Sequence, residues 1–350
     1  MSYYDGAKLL SMQDINGKRP AIYISTSNRS AGKTTYYNSY ILRQYVKTGA
    51  KFAILKRFVD DVPNTATNFF GALNVPAKIS PGIARLYQGH EMEQTGKRGD
   101  AYNTLSYDGQ ECGYVICLNR ANKIKQASNQ LSDVQTILFD EFIPETRQYV
   151  SDEIDKFLSI ITSIARGGGQ QQRYIRIILI SNYVTLLNPY YESMGISDKL
   201  KPEMKYMRGD GFVVEQVVNA DAKAAVESNP AIRAFKGGSS YTDYLTGGQY
   251  LLDNSALISR LTGDSTYICT IDYSGHKYGL KLFKDGLLYV DTSPDTTCKI
   301  VIHTDRDSIR DNEYLGRYFP DLISDIKQHF DTGRIRFQTL LCRAAIDNLI

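Results

Sequence analysis

Short apolar runs, rich in β-branched residues and bounded by polar or glycine-rich segments, recur along the first half of the chain. They predict buried strands at residues 21–24, 51–57, 136–139 and 177–180. Residues 36–45, between the first two runs, predict a helix. Because strands that alternate with helices form parallel sheets covered by helices, this part of the chain predicts an α/β domain with a central, mostly parallel sheet.

The pattern weakens after the second strand. Prolines interrupt residues 58–118, where two strands of a β-rich insertion are predicted at 85–87 and 113–118. Residues 211–218 predict a last strand of the central sheet. Residues 219–254 begin with an alanine-rich helix pattern and continue as a Gly/Ser/Thr-rich stretch, which is typical of a linker.

The C-terminal part predicts an antiparallel meander. Strands are predicted at 267–271, 278–283 and 286–291, joined by turns that contain glycine. A three-stranded meander followed by mixed helices and strands is the opening of an RNase H-like α+β fold. The predicted domains are residues 1–218 with the α/β sheet, residues 219–254 as a small linker module, and residues 255–350 as the RNase H-like domain.

Composition places the chain among ordinary globular proteins. Its 350 residues fit two domains, and 42% hydrophobic with 23% charged residues is an average balance. No apolar run approaches the ~18 residues of a membrane span, so a cytosolic protein without membrane contact is expected. Five scattered cysteines without a C-x-x-C pair argue against disulfides and zinc. The net charge of +3 is too small to establish a nucleic-acid partner.

The segment after the first strand has the pattern of a phosphate-binding loop, between a strand and a helix as this motif requires. Backbone N–H groups of such a loop converge on phosphates, helped by the helix dipole. Gly32 allows close approach, Lys33 supplies positive charge, and the Thr34 hydroxyl can reach Mg²⁺. Ser27 departs from the pattern, which has a glycine there. The predicted ATP-binding residues are Ser27, Asn28, Arg29, Ser30, Ala31, Gly32, Lys33, Thr34 and Thr35.

A second motif, Asp140-Glu141, ends the apolar run at 136–139. Paired carboxylates usually cap a strand or helix, but downstream of a phosphate-binding loop they are typical of a Walker B motif. Asp140 can then hold Mg²⁺ through water, and Glu141 can polarise the water that attacks the γ-phosphate. Residues 122–125 miss the guanine-reading Asn-Lys-x-Asp motif at their last position. The two motifs together predict an ATPase that uses ATP and Mg²⁺.

Other polar residues at strand ends extend this site. Ser181 and Asn182 end the run at 177–180, which is expected to lie between the strands of the two motifs. They are placed to sense the γ-phosphate and to couple hydrolysis to movement. Lys56 and Arg57 end the second strand, at the edge where α/β sheets bind ligands, although solvated charge is the default interpretation.

A glycine-rich loop at 165–173 presents Arg166. An arginine on such a loop is suited to donation into a neighbouring subunit's site, where it would stabilise charge on the transferring phosphoryl group. The alternative is an exposed turn residue. A second basic stretch, at 119–129, is interpreted as a solvated loop.

Residues 27–35 resemble the Walker A loop of viral terminase motors, which also carry an arginine inside the loop, matched here by Arg29. Several segments are similar, in the same order, to the DNA-encapsidation ATPases of φ29-like phages. These segments are residues 137–143, 179–182 continuing to 188–190, 288–292 and 333–337. The resemblance therefore runs over most of the chain.

The family implies a homopentameric ring that drives double-stranded DNA into a procapsid with the energy of ATP. The resemblance gives Arg29 a catalytic role within the loop and places Arg166 where the family has a trans-acting arginine. Lys125, or less clearly Lys123, falls near a trans-acting lysine. The glycines and glutamines after Arg166 look like an insertion, which leaves that assignment open. Such a motor works in the cytoplasm of the infected host cell and transiently at the portal vertex of the procapsid.

The C-terminal domain poses a separate question. Asp272 and Asp291 lie on predicted strands, but two-metal cleavage needs several converging carboxylates and no third stands at a strand end. In the φ29-like family, this domain resembles a nuclease that has lost its activity. The resemblance implies that the domain docks on the procapsid's structural packaging RNA and on the portal, or connector. Basic residues that would charge such a surface are Arg306, Arg310, Arg317, Lys327, Arg334, Arg336 and Arg343.

Two other functions remain open from the sequence. One is a large terminase subunit with an active C-terminal nuclease. The other is a non-hydrolysing, nucleic-acid-binding scaffold protein whose phosphate-binding loop is degenerate, as the serine at position 27 suggests.

Overall fold

A computed structural model of the chain describes residues 4–97, 99–146, 148–166, 171–197, 199–201, 204–234, 260–304 and 314–350. The chain divides into two compact units, Met1–Val184 with Pro202–Leu251 and Thr185–Lys201 with Leu252–Ile350. The domain boundaries at 218 and 254 stay predictions, because the later part of the linker lies outside the described residues.

The elements are numbered in chain order. The strands are β1 Ile22–Ser27, β2 Lys51–Lys56, β3 Met92–Thr95, β4 Tyr102–Tyr107, β5 Gln110–Cys117, β6 Val134–Asp140, β7 Arg176–Asn182, β8 Tyr206–Gly209, β9 Phe212–Val217, β10 Ser265–Tyr273, β11 His276–Phe283, β12 Leu288–Asp291, β13 Val301–His303, β14 Tyr314–Leu315 and β15 Ile335–Phe337. The helices are α1 Ala7–Ser11, α2 Lys33–Thr48, α3 Thr65–Gly71, α4 Pro81–Tyr87, α5 Ala121–Gln126, α6 Glu153–Ala165, α7 Pro189–Ser193, α8 Ala220–Ser228, α9 Pro230–Ala234, α10 Pro320–Asp331 and α11 Leu340–Asp347. Short 3₁₀ turns occupy Val59–Asp61, Leu118–Arg120, Ser128–Leu131 and Gly316–Tyr318.

The first unit is built on a sheet of nine strands, counted over its described residues, in the order β3-β4-β5-β2-β6-β7-β1-β9-β8. The strands from β5 to β9 in this order are parallel, and the outer pairs are antiparallel. As predicted, β7 lies between the strands that carry the two motifs. Ser27 pairs with Asn182 and Asp140 with Ile180, so the polar strand ends meet at one edge of the sheet.

The central strands are buried along nearly their whole length, which explains why their sequences are continuous apolar runs rather than alternating ones. The predicted helix at 36–45 lies within α2, which buries Tyr37, Ile41 and Leu42 in a core that also holds Phe52 and Ile54 of β2. The loop between β1 and α2 is therefore anchored on both sides by packed elements.

One predicted strand, at 85–87, is wrong. These residues end α4, which has Pro81 at its first position and buries Ala84 and Leu86. Proline at the first helical position is favourable, and three apolar-polar residues are too few to separate the two periodicities. The strand predicted at 113–118 is confirmed as part of β5, which joins the central sheet parallel to β2.

In the second unit, the described residues form a six-stranded sheet in the order β14-β13-β10-β11-β12-β15. The predicted meander is confirmed, since β10, β11 and β12 are antiparallel neighbours. β13 lies parallel to β10, and β14 parallel to β13, which is the RNase H-like arrangement. Ile326 of α10 and Ala345 and Ile346 of α11 are buried in the core of this unit. The predicted fold class, an α/β domain with a central, mostly parallel sheet followed by an RNase H-like domain, is confirmed.

The segment Thr185–Lys201 groups with the second unit, which no pattern in the sequence predicts. Asn188 caps α7 by accepting a hydrogen bond from the Tyr191 N–H at 3.0 Å, and Pro189 follows at the first helical position. Tyr190 and Tyr191 are buried. The chain thus contributes to both units directly after the end of β7.

Two further features complete the fold. No helix among the residues that the structure describes is long and apolar enough to cross a membrane. All five cysteines are free thiols, and four of them are buried.

Candidate active site

The phosphate-binding loop makes a tight turn from β1 into α2. Gly32 has a φ of 96° and occupies the N-cap of α2, a left-handed conformation that glycine adopts without steric cost. Ser30 is also left-handed, with a φ of 60°, which is uncommon for a residue with a side chain. The helix therefore begins at Lys33 and directs its first N–H groups toward the loop.

Lys33 is buried under this loop. Its Nζ donates a hydrogen bond to the Ser27 Oγ and another, at 3.5 Å, to Asn182 Oδ1. The Ser27 hydroxyl in turn donates to the Asn28 carbonyl at 2.8 Å. The serine that replaces the usual glycine thus holds the lysine rather than obstructing the loop. Burial lowers the pKa of Lys33 to about 8, against the opposing charge of Asp140.

The acidic pair contacts the loop directly. Thr34 Oγ1 donates to Asp140 Oδ2 at 2.8 Å, and Asp140 Oδ1 accepts from the Glu141 N–H at 2.9 Å. Desolvation raises the pKa of Asp140, while Thr34 and Lys33 oppose this shift. Desolvation, and secondly the charge of Asp140, also raise the pKa of Glu141, which stands in a left-handed conformation with a φ of 60°. The two sequence motifs are therefore one cluster.

The cluster fits a magnesium ion that arrives with a nucleotide. The Thr34 hydroxyl and the Asp140 carboxylate are hard oxygen donors, and Mg²⁺ is usually bound by one or two protein oxygens together with substrate phosphates. Within the described ranges, no group of three or more His, Cys, Asp or Glu residues could hold a metal by itself.

A cavity of about 320 Å³ opens in front of this cluster. It is lined by residues 30–35 of the loop, by Asp140 and Glu141, and by Ser181 and Asn182 at the end of β7. Ser181 Oγ donates to the Ile143 carbonyl at 2.9 Å. The residues predicted to couple hydrolysis to movement are thus at the cleft.

Arg29 of the phosphate-binding loop pairs with Glu145, a carboxylate outside the acidic pair Asp140-Glu141. Its Nε forms an ion pair with Glu145 Oε1 at 3.2 Å, and Asn182 Nδ2 donates to the same oxygen at 3.5 Å. Glu145 therefore links the arginine of the loop to the end of β7. Both side chains of this ion pair are partly exposed, so solvent and salt weaken it.

Arg57 is a candidate site residue that the sequence interpretation missed, because its charge is not solvated as the default interpretation assumes. The side chain is buried and forms a forked ion pair with Glu153 of α6, with donor–acceptor distances of 3.1–3.2 Å. It also donates to the carbonyls of Glu141, at 3.0 Å, and Phe142, at 2.7 Å. The backbone of the turn that carries Glu141 is therefore fixed by this one guanidinium.

Arg166 is not brought to the cleft of its own chain. It is exposed and follows α6, whose first residue, Glu153, contacts Arg57 beside the acidic pair. A helix of 13 residues is about 20 Å long. The Ala165 carbonyl accepts from the Arg173 N–H at 3.0 Å, just before β7 starts. Arg166 thus lies near the edge of the sheet opposite the phosphate-binding loop.

The two candidate lysines differ in their surroundings. Lys123 Nζ donates to the Gly99 carbonyl at 2.7 Å. Lys125 is exposed and has no partner within the described part of the chain. Both lie on α5, which packs against α6. Lys125 is therefore the lysine whose amine is available to another molecule.

The acidic residues of the second unit are engaged locally. Asp291 Oδ2 pairs with Lys281 Nζ at 2.5 Å, and its Oδ1 accepts from the Ser293 N–H at 3.1 Å. Asp272 Oδ1 accepts from the Gly275 N–H at 3.2 Å and lies 3.9 Å from His303 Nδ1. No third carboxylate joins them among the residues that are described.

The predicted basic surface is described only in part. Arg306 and Arg310 lie outside the described residues, as does the side chain of Arg317. Arg334 donates to the Asp285 carbonyl at 2.6 Å, and Arg336 to the Gly333 carbonyl at 2.7 Å. Arg343 pairs with Asp347 at 3.6 Å, whereas Lys327 is exposed.

The fold and the cluster at its edge define a P-loop ATPase domain of the ASCE type joined to an RNase H-like unit. The whole chain, residues 1–350, matches the Podovirus DNA encapsidation protein (Gp16) family, and it belongs to that family. The resemblance drawn from the sequence is thereby confirmed.

Individual relatives match over nearly the full chain. The DNA packaging protein of Bacillus phage PZA is 24% identical over 349 residues, covering 97% of this chain and 95% of the relative. That of Bacillus phage phi29 is 23% identical over the same length and coverage.

Two solved structures share the fold. A chain of the bacteriophage Phi-29 viral genome packaging motor assembly has a TM-score of 0.62 at 22% identity, covering 98% of this chain and 96% of that one. The Phi-28 gp11 DNA packaging motor has a TM-score of 0.61 at 16% identity with the same coverage. The fold is therefore retained although the sequences have diverged widely.

Proposed function

We propose that this protein is an ATP-hydrolysing motor that translocates double-stranded viral DNA into a procapsid as a homo-oligomeric ring. The observation that carries the proposal is the 2.8 Å hydrogen bond from Thr34 to Asp140 beside the buried Lys33. This contact unites the phosphate-binding loop and the acidic pair around one cavity. Membership in a family of DNA encapsidation proteins supports the role in packaging.

In this proposal, different residues of the cleft bind the phosphates, activate water and hold the metal. Lys33 and the N–H groups of the loop bind the phosphates, and Glu141 orients water and accepts its proton. A raised pKa makes this carboxylate a stronger base. Thr34 and Asp140 would hold Mg²⁺, which supplies charge neutralisation on the phosphate oxygens.

A neighbouring subunit completes the site in this proposal. Arg166 and Lys125 are exposed cations, and the length of α6 separates Arg166 from the cleft of its own chain. A ring of identical subunits, pentameric in the family that the sequence resembles, would place each Arg166 at the next subunit's nucleotide. Activity should therefore rise steeply with oligomerisation.

The proposed motor works in the host cytoplasm and at the portal vertex, with portal, procapsid and packaging RNA as partners. The second unit would serve docking rather than cleavage. In support of this, Asp291, one of the two candidate metal ligands, forms an ion pair with Lys281. Its carboxylate is therefore engaged by a cation of the same chain.

The test is phosphate release by the purified full chain, measured with and without double-stranded DNA. Hydrolysis that DNA stimulates is the expected result. Failure to split ATP under any packaging-competent condition would reject the motor and favour the scaffold function. Cleavage of plasmid DNA with Mg²⁺ or Mn²⁺, removed by Asp272→Ala, would instead favour the nuclease-active terminase subunit.

ATP binding is expected to weaken as the pH rises from 7 to 9. Burial places the pKa of Lys33 at about 8, below its ordinary value, so the amine is charged at pH 7 and mostly neutral at pH 9. If only the charged form binds the phosphates well, the Kd for ATP rises about tenfold over this range. Titrations with a fluorescent ATP analogue at pH 7 and at pH 9 measure this change in Kd. In Lys33→Arg, which stays charged, this dependence should vanish, and a constant Kd in the unmodified protein would contradict the prediction.

Arg57→Lys is expected to lower kcat by about tenfold to a hundredfold, because lysine retains the charge but cannot hold Glu153 and two carbonyls at once. The Kd for ATP should change little, since Arg57 contacts the turn of Glu141 and not the phosphate-binding loop. Arg85→Lys, at an exposed position of α4, is the matched control. Initial rates of both variants measure kcat, and thermal melts show whether each variant is folded. An unchanged kcat in a folded Arg57→Lys protein would disprove the positioning role of Arg57.

A further inference from the structure

Asn28 of the phosphate-binding loop is hydrogen-bonded to Asn219, the N-cap residue directly before α8. Its Oδ1 accepts from the Asn219 N–H at 2.8 Å, and its Nδ2 donates to the Asn219 carbonyl at 3.1 Å. Asn28 has no exposed surface, so water cannot readily compete for these bonds. The loop is thus tied to a backbone position 191 residues further along the chain.

Asn219 also contacts α8 itself, as the cap of its first turn. Its Oδ1 accepts from the Ala222 N–H at 3.0 Å, which caps the first turn of α8. Its Nδ2 also reaches the Ala31 carbonyl of the loop at 3.5 Å. One residue therefore joins two positions of the loop to the start of α8.

α8 buries little surface within the described part of the chain. It has nine residues, of which only Ala222 is buried. Helices shorter than about 12–15 residues are marginal in isolation and take most of their stability from packing. The exposed Lys223–Glu227 pair, at 4.0 Å, adds little. The hydrogen bonds at its N-terminus are therefore a large part of what positions α8 among the described residues.

The Ala31–Gly32 peptide connects this attachment to the phosphate site. A trans peptide is planar and directs its C=O and N–H to opposite sides. The Ala31 carbonyl accepts from the Tyr4 N–H at 3.0 Å and is reached by Asn219, whereas the N–H of the same peptide belongs to Gly32, which lines the cavity. An N–H that donates to an anion makes the carbonyl of its own peptide a stronger acceptor, since hydrogen bonds in a chain polarise one another.

We propose that Asn28 is a positioning residue that couples occupancy of the phosphate site to α8, so that bound ATP stabilises the first turn of this helix. The inference rests on the proposed function, because it requires that the loop binds ATP. It adds a route by which the nucleotide acts on the segment that leads out of the first unit.

Hydrogen exchange, followed by mass spectrometry on the full chain, tests the coupling. The measurement is made in the Glu141→Gln background, where turnover is slow, with and without ATP and Mg²⁺. Exchange of the amides at 219–223 is expected to slow by about fivefold or more when ATP binds. In the double variant with Asn28→Ala, measured at an ATP concentration that a fluorescent ATP analogue shows to be saturating for that variant, the slowing should fall below about twofold.

The matched control is Asn188→Ala, which removes a cap of the same chemistry from α7 in the second unit and should leave the response of α8 intact. Asn28→Asp serves if the alanine variant does not fold, because it retains the acceptor for the Asn219 N–H and loses the donor. Its response should be intermediate. Bound ATP without a change in exchange, or a full response in Asn28→Ala, would overturn the coupling alone. Absence of ATP binding would overturn the proposed function and the coupling with it.

Discussion

Glu141→Gln is expected to reduce ATP turnover by about 10²–10⁴-fold while ATP still binds. Glutamine has the size of glutamate but cannot accept a proton from water. The groups that bind the phosphates, Lys33 and the loop N–H groups, are not altered by the change. Phosphate release gives the turnover, and titration with a fluorescent ATP analogue gives the affinity.

Glu145→Gln is the control for this variant. Glu145 does not line the cleft and is paired with Arg29 and Asn182, so its replacement should lower turnover far less. If Glu141→Gln abolished ATP binding, or if it left turnover within a few-fold of the unmodified protein, the assignment of Glu141 as the base would be wrong.

If Arg166 acts in a neighbouring subunit's site as proposed, mixtures of Arg166→Ala and Glu141→Gln subunits are expected to regain hydrolysis that neither variant shows alone. Removing an arginine that stabilises the transferring phosphoryl group typically costs about 10³–10⁵ in rate. In the proposed assembly, an Arg166→Ala subunit would retain its own Glu141 and receive Arg166 from a Glu141→Gln neighbour. Turnover measured against mixing ratio should therefore pass through a maximum.

The matched control for the arginine is Arg208→Ala, at an exposed position on the edge strand β8, which should be active by itself. Absence of rescue at every ratio would count against donation in trans. It would leave Arg166 as the exposed turn residue that the sequence also allowed.

The sequence predicted the parts of this site that depend on local pattern. A phosphate-binding loop needs a strand before it and a helix after it, and all three lie within about two dozen residues. The acidic pair is likewise recognisable from the apolar run that precedes it. The position of β7 between the two motif strands followed from the known strand order of such sheets, and the register of Ser27 with Asn182 bears it out.

Contacts between distant positions were not predictable. The role of Arg57 requires that β2 lies beside β6 and that α6 begins at Glu153, neither of which a single sequence shows. The same holds for Asn28 and Asn219. Lys123 and Lys125 could not be separated by spacing alone, because the difference between them is a hydrogen bond to Gly99 in another loop.

The path of the chain between the two units has a practical consequence. After Val184 the chain enters the second unit, returns at Pro202 and leaves again after Leu251. A truncated protein that stops at residue 218 would retain the segment Thr185–Lys201, with its buried Tyr190 and Tyr191, but not the rest of the unit to which this segment belongs, so it should be prone to aggregate. The chain enters the second unit at Thr185, directly after β7 ends at Asn182 beside the cleft. Along the chain, this connection is shorter than the one that runs from the end of β9 to Leu252.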